Sequence, residues 1–299
     1  MSVAIVVINW NKRAATLECV QSLARLTYAD WSLVLVDNGC SEFSPAEVEA
    51  LAPGGAYLHS PTNLGFAGGA NLGLRTALER GADWIWFLNN DALPEPGALA
   101  VLVATAQRPT QPALIGAKIL QRARPERLDS AGLDVDLARG RLRLVGHDEL
   151  DRGQYDLCTD PVAVPACALL ISRVAAEYLD GFDDIFFAYM EDADLCLRAR
   201  AAGFAVAYAP AARVLHDRAP ATQNRQSLDS LYYSTRNHLL LLQRHSPSAS
   251  WQRKVQELSV QAWSAAYALR AGTGQPRAAL NAVRQGIADY RRGVAGPRR

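Results

Sequence analysis

Three apolar runs each close on asparagine or aspartate: "VAIVVIN" on Asn9, "WSLVLVDN" on Asp37 and Asn38, and "WIWFLNND" on Asn89, Asn90 and Asp91. A run of β-branched, aromatic and leucine side chains without polar alternation fits a strand buried on both faces, as in a parallel sheet. Polar residues at the end of such a strand are costly to bury without partners. Between the first two runs, "RAATLECVQSLARL" spaces Leu17, Val20, Leu23 and Leu26 near one helical face, so the chain begins as strand, helix, strand. "AYLHSP" suits a short third strand, "GGANLGLRTALERG" a helix stopping at Gly81, and "DWIWFLNND" a fourth strand. The alternation predicts an α/β fold with a Rossmann-like, mostly parallel sheet flanked by helices. Ligands of such sheets bind beyond the carboxyl ends of the strands. Asn9, Asn11, Asp37, Asn38 and Asn89 to Asp91 then gather along one edge. Turns and helix caps account for Asn or Asp at any single strand end; three clusters in register point to one site.

With 299 residues and 49% hydrophobic composition, the chain can bury one large core with a helical appendage. The start "MSVAIVVINW" lacks a basic region and a long apolar core, and no run approaches the roughly 20 apolar residues of a membrane span. Five scattered cysteines without a C-x-x-C pair fit reduced thiols and a cytoplasmic location. The net charge of +1 hides an asymmetry: after Asn224 stand twelve Lys or Arg against three Asp or Glu. A basic tail on an acidic body suits an anionic neighbour, and a solvated helical face suits it equally. No nucleic-acid partner is expected.

The loop "NLGFAGGANLG" contains no G-x-G-x-x-G and follows the third strand rather than the first, which argues against a dinucleotide site. Glycines ahead of a helix can still let backbone N–H groups approach a phosphate or base. Farther on, "YMEDADLCLRARAAG" places Glu191, Asp192 and Asp194 before Leu195, Arg198 and Ala199 at helical spacing, so the acids stand at a helix N-terminus. Capping and the helix dipole explain acids there without chemistry. Asp194 also lies four residues before Arg198, a spacing that favours a pair on the helix.

Taken together, "VVINWNK", "LVDNGCS", "NLGFAGGANLG", "WFLNNDALPEPGAL", "GFDDIFFAYMEDADLCLRARAAGF" and a later "VLH" resemble the inverting family 2 glycosyltransferases of the glycosyltransferase A fold. The flavour is that of the bacterial rhamnosyltransferase-like branch, and the motifs keep the family's order over roughly residues 3 to 245. The resemblance implies a catalytic domain over 1–223, with a nucleotide-sugar half (1–120) and an acceptor and catalytic half (121–223), and a helical C-terminal extension over 224–299. It implies a UDP- or dTDP-sugar donor, dTDP-rhamnose among them, and a glycan or lipid-linked glycan acceptor in cell-surface polysaccharide assembly. Donor-binding positions fall on Asn9, Asp37, Asn63, Gly65, Asn71, Asn89 and Asn90.

The leaving nucleoside diphosphate carries charge that a carboxylate-held cation neutralises, and oxygen ligands suit Mg²⁺ or Mn²⁺. The family's Asp-x-Asp element reads Asn89-Asn90-Asp91 here, leaving Asp91 as the strong ligand, with His216 of "ARVLHD" at the position that completes the metal shell. An acceptor hydroxyl must also lose a proton as it attacks. The resemblance assigns that base to Asp192, with Glu191 in reserve. Pro165, Ala166 and Cys167 of the strand "VPACALLISR" fall near the donor sugar. The polar stretch from Arg122 to Asp160 suits an irregular hairpin, a flap or a plain surface excursion.

After residue 224, Trp251, Val255, Leu258, Ala262, Ala265 and Leu269 form a heptad-like stripe. It is expected to pack on the catalytic domain or a second subunit, and with Trp263, Tyr267 and nearby arginines it also suits anionic lipid. The end, "RRGVAGPRR", reads as frayed. Two other classes compete: a non-catalytic nucleotide-sugar-binding protein, and a nucleotidyltransferase. The latter expects a Gly-rich basic loop after the first strand, where Asn9-Trp10-Asn11-Lys12-Arg13 stands instead.

Overall fold

The computed structural model of the chain describes residues 1–158, 160–217, 227–246, 249–270 and 275–298. The expected boundary between 223 and 224 lies outside the described residues. The first part alternates: β1 (Val3–Asn9), α1 (Arg13–Leu23), β2 (Trp31–Asn38), α2 (Pro45–Leu51), β3 (Ala56–Ser60), α3 (Gly65–Glu79) and β4 (Trp84–Asn89). Helix α2 escaped the sequence reading, although "SPAEVEAL" carries its signal: Ser44 Oγ accepts from the Glu47 backbone N–H at 3.3 Å, and Pro45 opens the first turn. Then follow β5 (Ala92–Pro94), α4 (Ala98–Ala106), β6 (Leu114–Gln121), β7 (Arg124–Ser130), β8 (Leu133–Asp136) and β9 (Arg141–Leu144). Next come β10 (Ala168–Ser172), α5 (Arg173–Leu179), a 3-10 turn at Asp184–Phe186, α6 (Glu191–Ala201) and β11 (Val206–His216). Helices α7 (Leu228–His245), α8 (Ser250–Arg270) and α9 (Pro276–Arg291) complete the order.

One sheet runs β3-β2-β1-β4-β10-β6-β11-β5, with β7 added to β6. Strands β1 to β4 are mutually parallel as expected. Beyond β4 the sheet is mixed, because β10 inserts antiparallel between β4 and β6, and β5 and β7 also pair antiparallel. A parallel entry requires a crossover, usually helical; β10 instead arrives from a long irregular segment. The polar stretch before it takes the hairpin form, with β8 and β9 paired through Leu133–Leu144 and Asp136–Arg141.

Alternation along each strand divides the core. Val3, Ile5 and Val7 of β1 pack in the layer with Leu99 and Leu102 of α4, while Ala4 and Val6 pack in the layer with Ala67, Ala70 and Leu74 of α3. Both faces are therefore dry, as the unbroken apolar runs require.

Outside the sheet, the heptad-like stripe does not pack on the catalytic domain, and the tail is not frayed. Helix α8 turns Gln256, Val260, Ser264 and Ala268 inward, and Trp251, Val255, Leu258 and Leu269 of the heptad-like stripe stay exposed. Gln256 explains the rotation: its amide nitrogen donates to the carbonyls of Leu137 at 3.0 Å and Ala138 at 2.8 Å, fixing that face against the β8–β9 hairpin. The end of the chain is docked rather than frayed, since Gly296 N–H donates to the Ile185 carbonyl at 3.3 Å and the Gly296 carbonyl accepts from Arg236 at 2.6 Å. None of the five cysteines is in a disulfide.

Candidate active site

Ile8 lies opposite Val36 on β2 and Asn89 on β4, so the polar ends of β1, β2 and β4 emerge together. Asn9 Nδ2 donates to Asp37 Oδ1 at 2.7 Å and to Glu42 Oε2 at 2.9 Å, and its Oδ1 accepts from Thr16 at 2.7 Å. Asp37 Oδ2 accepts from the N–H groups of Glu42 and Phe43, both at 2.9 Å, and from the Tyr57 hydroxyl at 3.0 Å. Burial and then Asp37 push the Tyr57 phenol up to about 12, which keeps it a donor. Asn9 and Asp37 are fully buried, do not line the cavity described next, and brace the ends of β1 and β2.

Beside these strand ends lies a cavity of 840 Å³. The amino-terminal half contributes Trp10, Lys12, Asn38, Asn63, Gly65 and Asn89 to Asp91; the later half contributes Phe187 to Tyr189, Asp229, Tyr233, Gln285 and Arg298. Asn38 Nδ2 donates to the Gly65 carbonyl at 2.8 Å, its Oδ1 accepts from Leu64 N–H at 2.8 Å, and Asn63 Oδ1 accepts from Gly65 N–H at 2.8 Å. Gly65, at φ +73°, is required as glycine: a Cβ there would stand 2.3 Å from the Phe187 carbonyl oxygen.

Asp91 stands at the cavity just past β4. Its Oδ2 is 3.0 Å from Lys12 Nζ, and its Oδ1, buried without a hydrogen-bond partner among the described residues, is 3.3 Å from His216 Nε2. His216 Nδ1 is 2.9 Å from Asp129 Oδ2. Burial opposes the charge on Asp91, but His216 and Lys12 outweigh it and hold the carboxyl well below the usual range. Burial likewise lowers His216, while Asp129 and Asp91 more than compensate and raise it to about 9. A ring raised in this way carries protons on both nitrogens at neutral pH; a cation binding at Nε2 would displace that proton and leave Nδ1–H directed at Asp129, the arrangement in which a carboxylate orients a metal-binding imidazole. No group of three His, Cys, Asp or Glu side chains suited to a metal occurs among the described residues. A cation here would take its other ligands from phosphate and water, as Mg²⁺ commonly does. The orphaned Oδ1 beside Nε2 fits a hard divalent ion.

The approach to α6 is unusual backbone. Phe187, Tyr189 and Met190 have φ of +63°, +69° and +74°, a region costly for residues with a Cβ and held only where neighbours over-determine it. Asn237 of α7 does so: its Nδ2 lies 2.7 Å from the carbonyls of Phe186 and Ala188 and 2.8 Å from that of Tyr189. The buried Arg236 guanidinium adds contacts to the carbonyls of Ile185 at 3.2 Å and Phe186 at 3.1 Å. Helix α6 then begins at Glu191. Glu191 is buried, with Oε2 unpartnered among the described residues; burial first, then the charge of Asp192, raises its pKa well above the ordinary value. Asp192 is half-buried, accepting from Ala193 N–H at 2.8 Å and Ala166 N–H at 3.3 Å. Since Cys167 accepts from Asn89 N–H at 3.0 Å, the segment 166–167 links Asp192 to the strand end carrying Asp91. Asp194 is wholly internal, bonded to Arg198 at 2.7 Å and His245 at 2.8 Å.

Thus Asn63, Gly65, Asn89, Asn90 and Asp91 meet at the cavity, with His216 against Asp91. Asn71 does not: its side chain bonds to Phe182 O and Asp184 Oδ1, each at 2.7 Å, and to Phe182 N at 2.9 Å, tying α3 to the segment before α6. Gly68, Gly69 and Gly73 lie within α3 rather than in a loop. Their role is close packing: a Cβ on Gly69 would lie 3.0 Å from Asn38 Nδ2, and one on Gly73 2.4 Å from Val6 Cγ1.

The family model described as glycosyl transferase family 2 matches residues 4–179. The chain belongs to this family. It is 27% identical over 246 residues to the N-acetylglucosaminyl-diphospho-decaprenol L-rhamnosyltransferase of Mycobacterium tuberculosis, covering 75% of this chain and 79% of that one. It is 36% identical over 110 residues to galactofuranosyltransferase GlfT1 of the same organism, 36% of each chain. Among solved structures, mannosyltransferase PcManGT of Pyrobaculum calidifontis, in complex with GDP-Man and Mn²⁺, aligns with a TM-score of 0.58 at 17% identity over 98% of this chain and 82% of that one. S. aureus TarS 1-349 aligns with 0.55 at 15% identity over 98% and 92%. The fold is that of the glycosyltransferase A structures. The protein is a glycosyltransferase. Sequence reasoning about this transferase missed Arg236, Asn237, Asp129 and Arg298; only the "RN" dipeptide inside an otherwise amphipathic helix hinted that buried polar groups stood there.

Proposed function

We propose that this glycosyltransferase inverts configuration, moving a sugar from a UDP- or dTDP-sugar, dTDP-rhamnose included, onto a glycan or lipid-linked glycan acceptor in cell-surface polysaccharide assembly. The observation that supports this reading most is the Asp91–His216 pair at the end of β4, beside a cavity spacious enough for a nucleotide sugar and linked through residues 166–167 to Asp192. Asp91 and His216 are the residues that would hold Mg²⁺ or Mn²⁺, a Lewis acid for the departing diphosphate. Similarity to a rhamnosyltransferase, and the Mn²⁺ and GDP-Man of a structural neighbour, agree with that class.

Asp192 is the base in this reading. A base must reach the acceptor hydroxyl, and of the two adjacent acids Asp192 is half-exposed while Glu191 is buried. Burial first, and then the neighbouring charge of Asp192, disfavours a charge on Glu191. Asn38, Asn63 and Gly65 shape the nucleotide side, and Asn9 and Asp37 brace the ends of β1 and β2 beside it. The transferase would act from the cytoplasmic side of the membrane. No helix among the described residues is long and apolar enough to cross it, and contact would be peripheral through α8. Trp251, Leu258, Trp263 and Leu269 are each about 60% exposed, and Trp251 and Trp263 line a 920 Å³ groove with Arg139, Arg141 and Arg143. Residues 250–298 carry eight Lys or Arg against two Asp or Glu. Exposed tryptophans beside Arg139, Arg141 and Arg143 complement anionic lipid.

The deciding experiment measures nucleotide release from UDP- and dTDP-sugars with Mg²⁺, Mn²⁺ or EDTA, and with Asp91→Ala and Asp192→Asn. Metal-dependent release and transfer, with nucleotide affinity lost in Asp91→Ala and kept in Asp192→Asn while transfer stops, supports the assignment. Full turnover by Asp192→Asn, or metal-independent binding unchanged in Asp91→Ala, refutes the corresponding role.

A further inference from the structure

The end of the described chain returns to the substrate cavity and presents a cation there. The Arg298 backbone N–H donates to the Tyr233 hydroxyl at 2.7 Å, and its guanidinium lies 5.2 Å from the Tyr232 ring centroid. Nε and Nη2 donate to Gln285 Oε1 at 2.9 and 2.8 Å, and Nη1 donates to Asp229 Oδ1 at 2.8 Å. These bonds use three of the five N–H donors of a guanidinium. The other two have no partner among the described residues, and the side chain, 22% exposed, lines the same cavity as Lys12 and Asp91.

We infer that Arg298 is a substrate-binding residue that holds a diphosphate in this cavity. The inference rests on the transferase reading of the cavity and extends it to a residue far outside the region matched by the family model. Lys12 and Arg298 are the only Lys or Arg among the described residues lining the cavity; each pairs with one carboxylate, Lys12 with Asp91 at 3.0 Å and Arg298 with Asp229 at 2.8 Å, and the guanidinium still has two N–H groups to give. With one carboxylate and one imidazole as the protein's share of a metal site, a diphosphate needs a further positive partner. Arg298 supplies it in a suitable form, because a planar guanidinium offers parallel N–H groups to two phosphate oxygens. Gln285, Asp229 and the Tyr232 ring hold its rotamer before substrate arrives, so binding sacrifices little side-chain freedom. Arg236, which bonds both Gly296 and the Ile185–Phe186 carbonyls, couples the position of this arm to the backbone leading into Asp192. Two substrates carry the group in question: the nucleotide sugar, and an acceptor linked to lipid through a diphosphate.

The test compares full-length wild type with Arg298→Gln and Arg298→Lys. Calorimetry with UDP and dTDP in Mg²⁺ reads the donor arm. Steady-state KM for a diphosphate-linked acceptor, against the same sugar without diphosphate, reads the acceptor arm. If the donor is the source, Arg298→Gln weakens nucleotide binding by about tenfold or more, the usual effect of a lost charged hydrogen bond. Arg298→Lys recovers part of it, since charge remains and the fork is lost. If the acceptor is the source, nucleotide affinity stays and KM rises about tenfold for the diphosphate-linked acceptor alone. Should Arg298→Gln depress thermal stability, Gln285→Leu keeps the cation and loosens its hold, and must give a smaller loss of the same kind. Unchanged nucleotide affinity together with unchanged KM for both acceptors overturns the inference. A wild-type protein that binds neither nucleotide overturns the donor assignment, and the inference falls with it.

Discussion

Asn237→Ala and Asn237→Asp test whether α7 holds the backbone ahead of Asp192. The wild-type amide is fully buried and faces three carbonyl oxygens at 2.7 to 2.8 Å. Two amide hydrogens serve those three acceptors. Removing them loses about two buried hydrogen bonds at about 1–3 kcal/mol each, once the stranded carbonyls are included. Asn237→Ala should therefore lower stability by about 2–6 kcal/mol, a fall in Tm of about 5–15 °C. Asn237→Asp keeps the shape but aims a carboxylate oxygen at the same carbonyls, so the folded state raises that carboxyl's pKa above its unfolded value of about 3.9. The native state then binds more protons than the unfolded chain, and the deficit against wild type is smallest below about pH 4 and grows as pH rises toward the folded pKa. Urea melts of all three proteins at pH 5 and pH 7.5 measure this, and kcat should fall at least about tenfold because Asp192 follows directly. An Asn237→Asp variant as stable as wild type at pH 7.5, or with a smaller deficit there than at pH 5, would refute the clamp.

Three further outcomes are expected. Gly73→Ala should cost about 1–2 kcal/mol in denaturant melts, because its Cβ would meet Val6 Cγ1 at 2.4 Å and the strain outweighs the gain in helix propensity; a stabilised variant would show that α3 can move off the sheet. Burial holds His238 neutral and lowers it to about 4, despite a hydrogen bond to Gly140 that works the other way. The unfolded chain takes up its proton first as pH falls below about 6.5, so wild type should lose up to about 1.4 kcal/mol per pH unit down to about pH 4 relative to His238→Gln; parallel pH curves for the two proteins would contradict this. Flotation with vesicles should show binding to anionic but not zwitterionic lipid, reduced by Leu258→Glu and by Arg141→Glu, whereas a stable dimer broken by Leu258→Glu would assign the face to a second copy.

The sheet and the cluster at its edge could be read from the sequence because their causes are local. Unbroken apolar runs specify strands dry on both faces, and a polar residue directly after such a run must lie at the strand end. Periodicity located a stripe on α8 but not the side it would face, since a stripe has the same spacing whether it meets the core, a subunit or lipid. Gln256, a polar residue on the opposite face, decided the orientation through bonds to residues more than a hundred positions away. Asn71 and Asp37 were assigned as donor contacts by position in a motif, whereas their hydrogen bonds are internal. Arg236, Asn237 and Arg298 act across 50 to 70 positions of sequence on backbone carbonyls and a distant carboxylate. No local pattern announces a partner of that kind.

The bonds from Arg236 and Asn237 to residues 185–189, and from Arg236 to Gly296, also set the order in which the molecule can become active. A nascent chain leaves the ribosome at about 5–20 residues per second, and the parallel strands and α3 can assemble while later residues are still being added. The left-handed residues Phe187, Tyr189 and Met190 lack the Asn237 bonds until α7 has emerged and folded back, and Arg236 lacks its Gly296 contact until that residue follows. The sheet edge can therefore form well before the backbone leading into α6 and Asp192 is fixed.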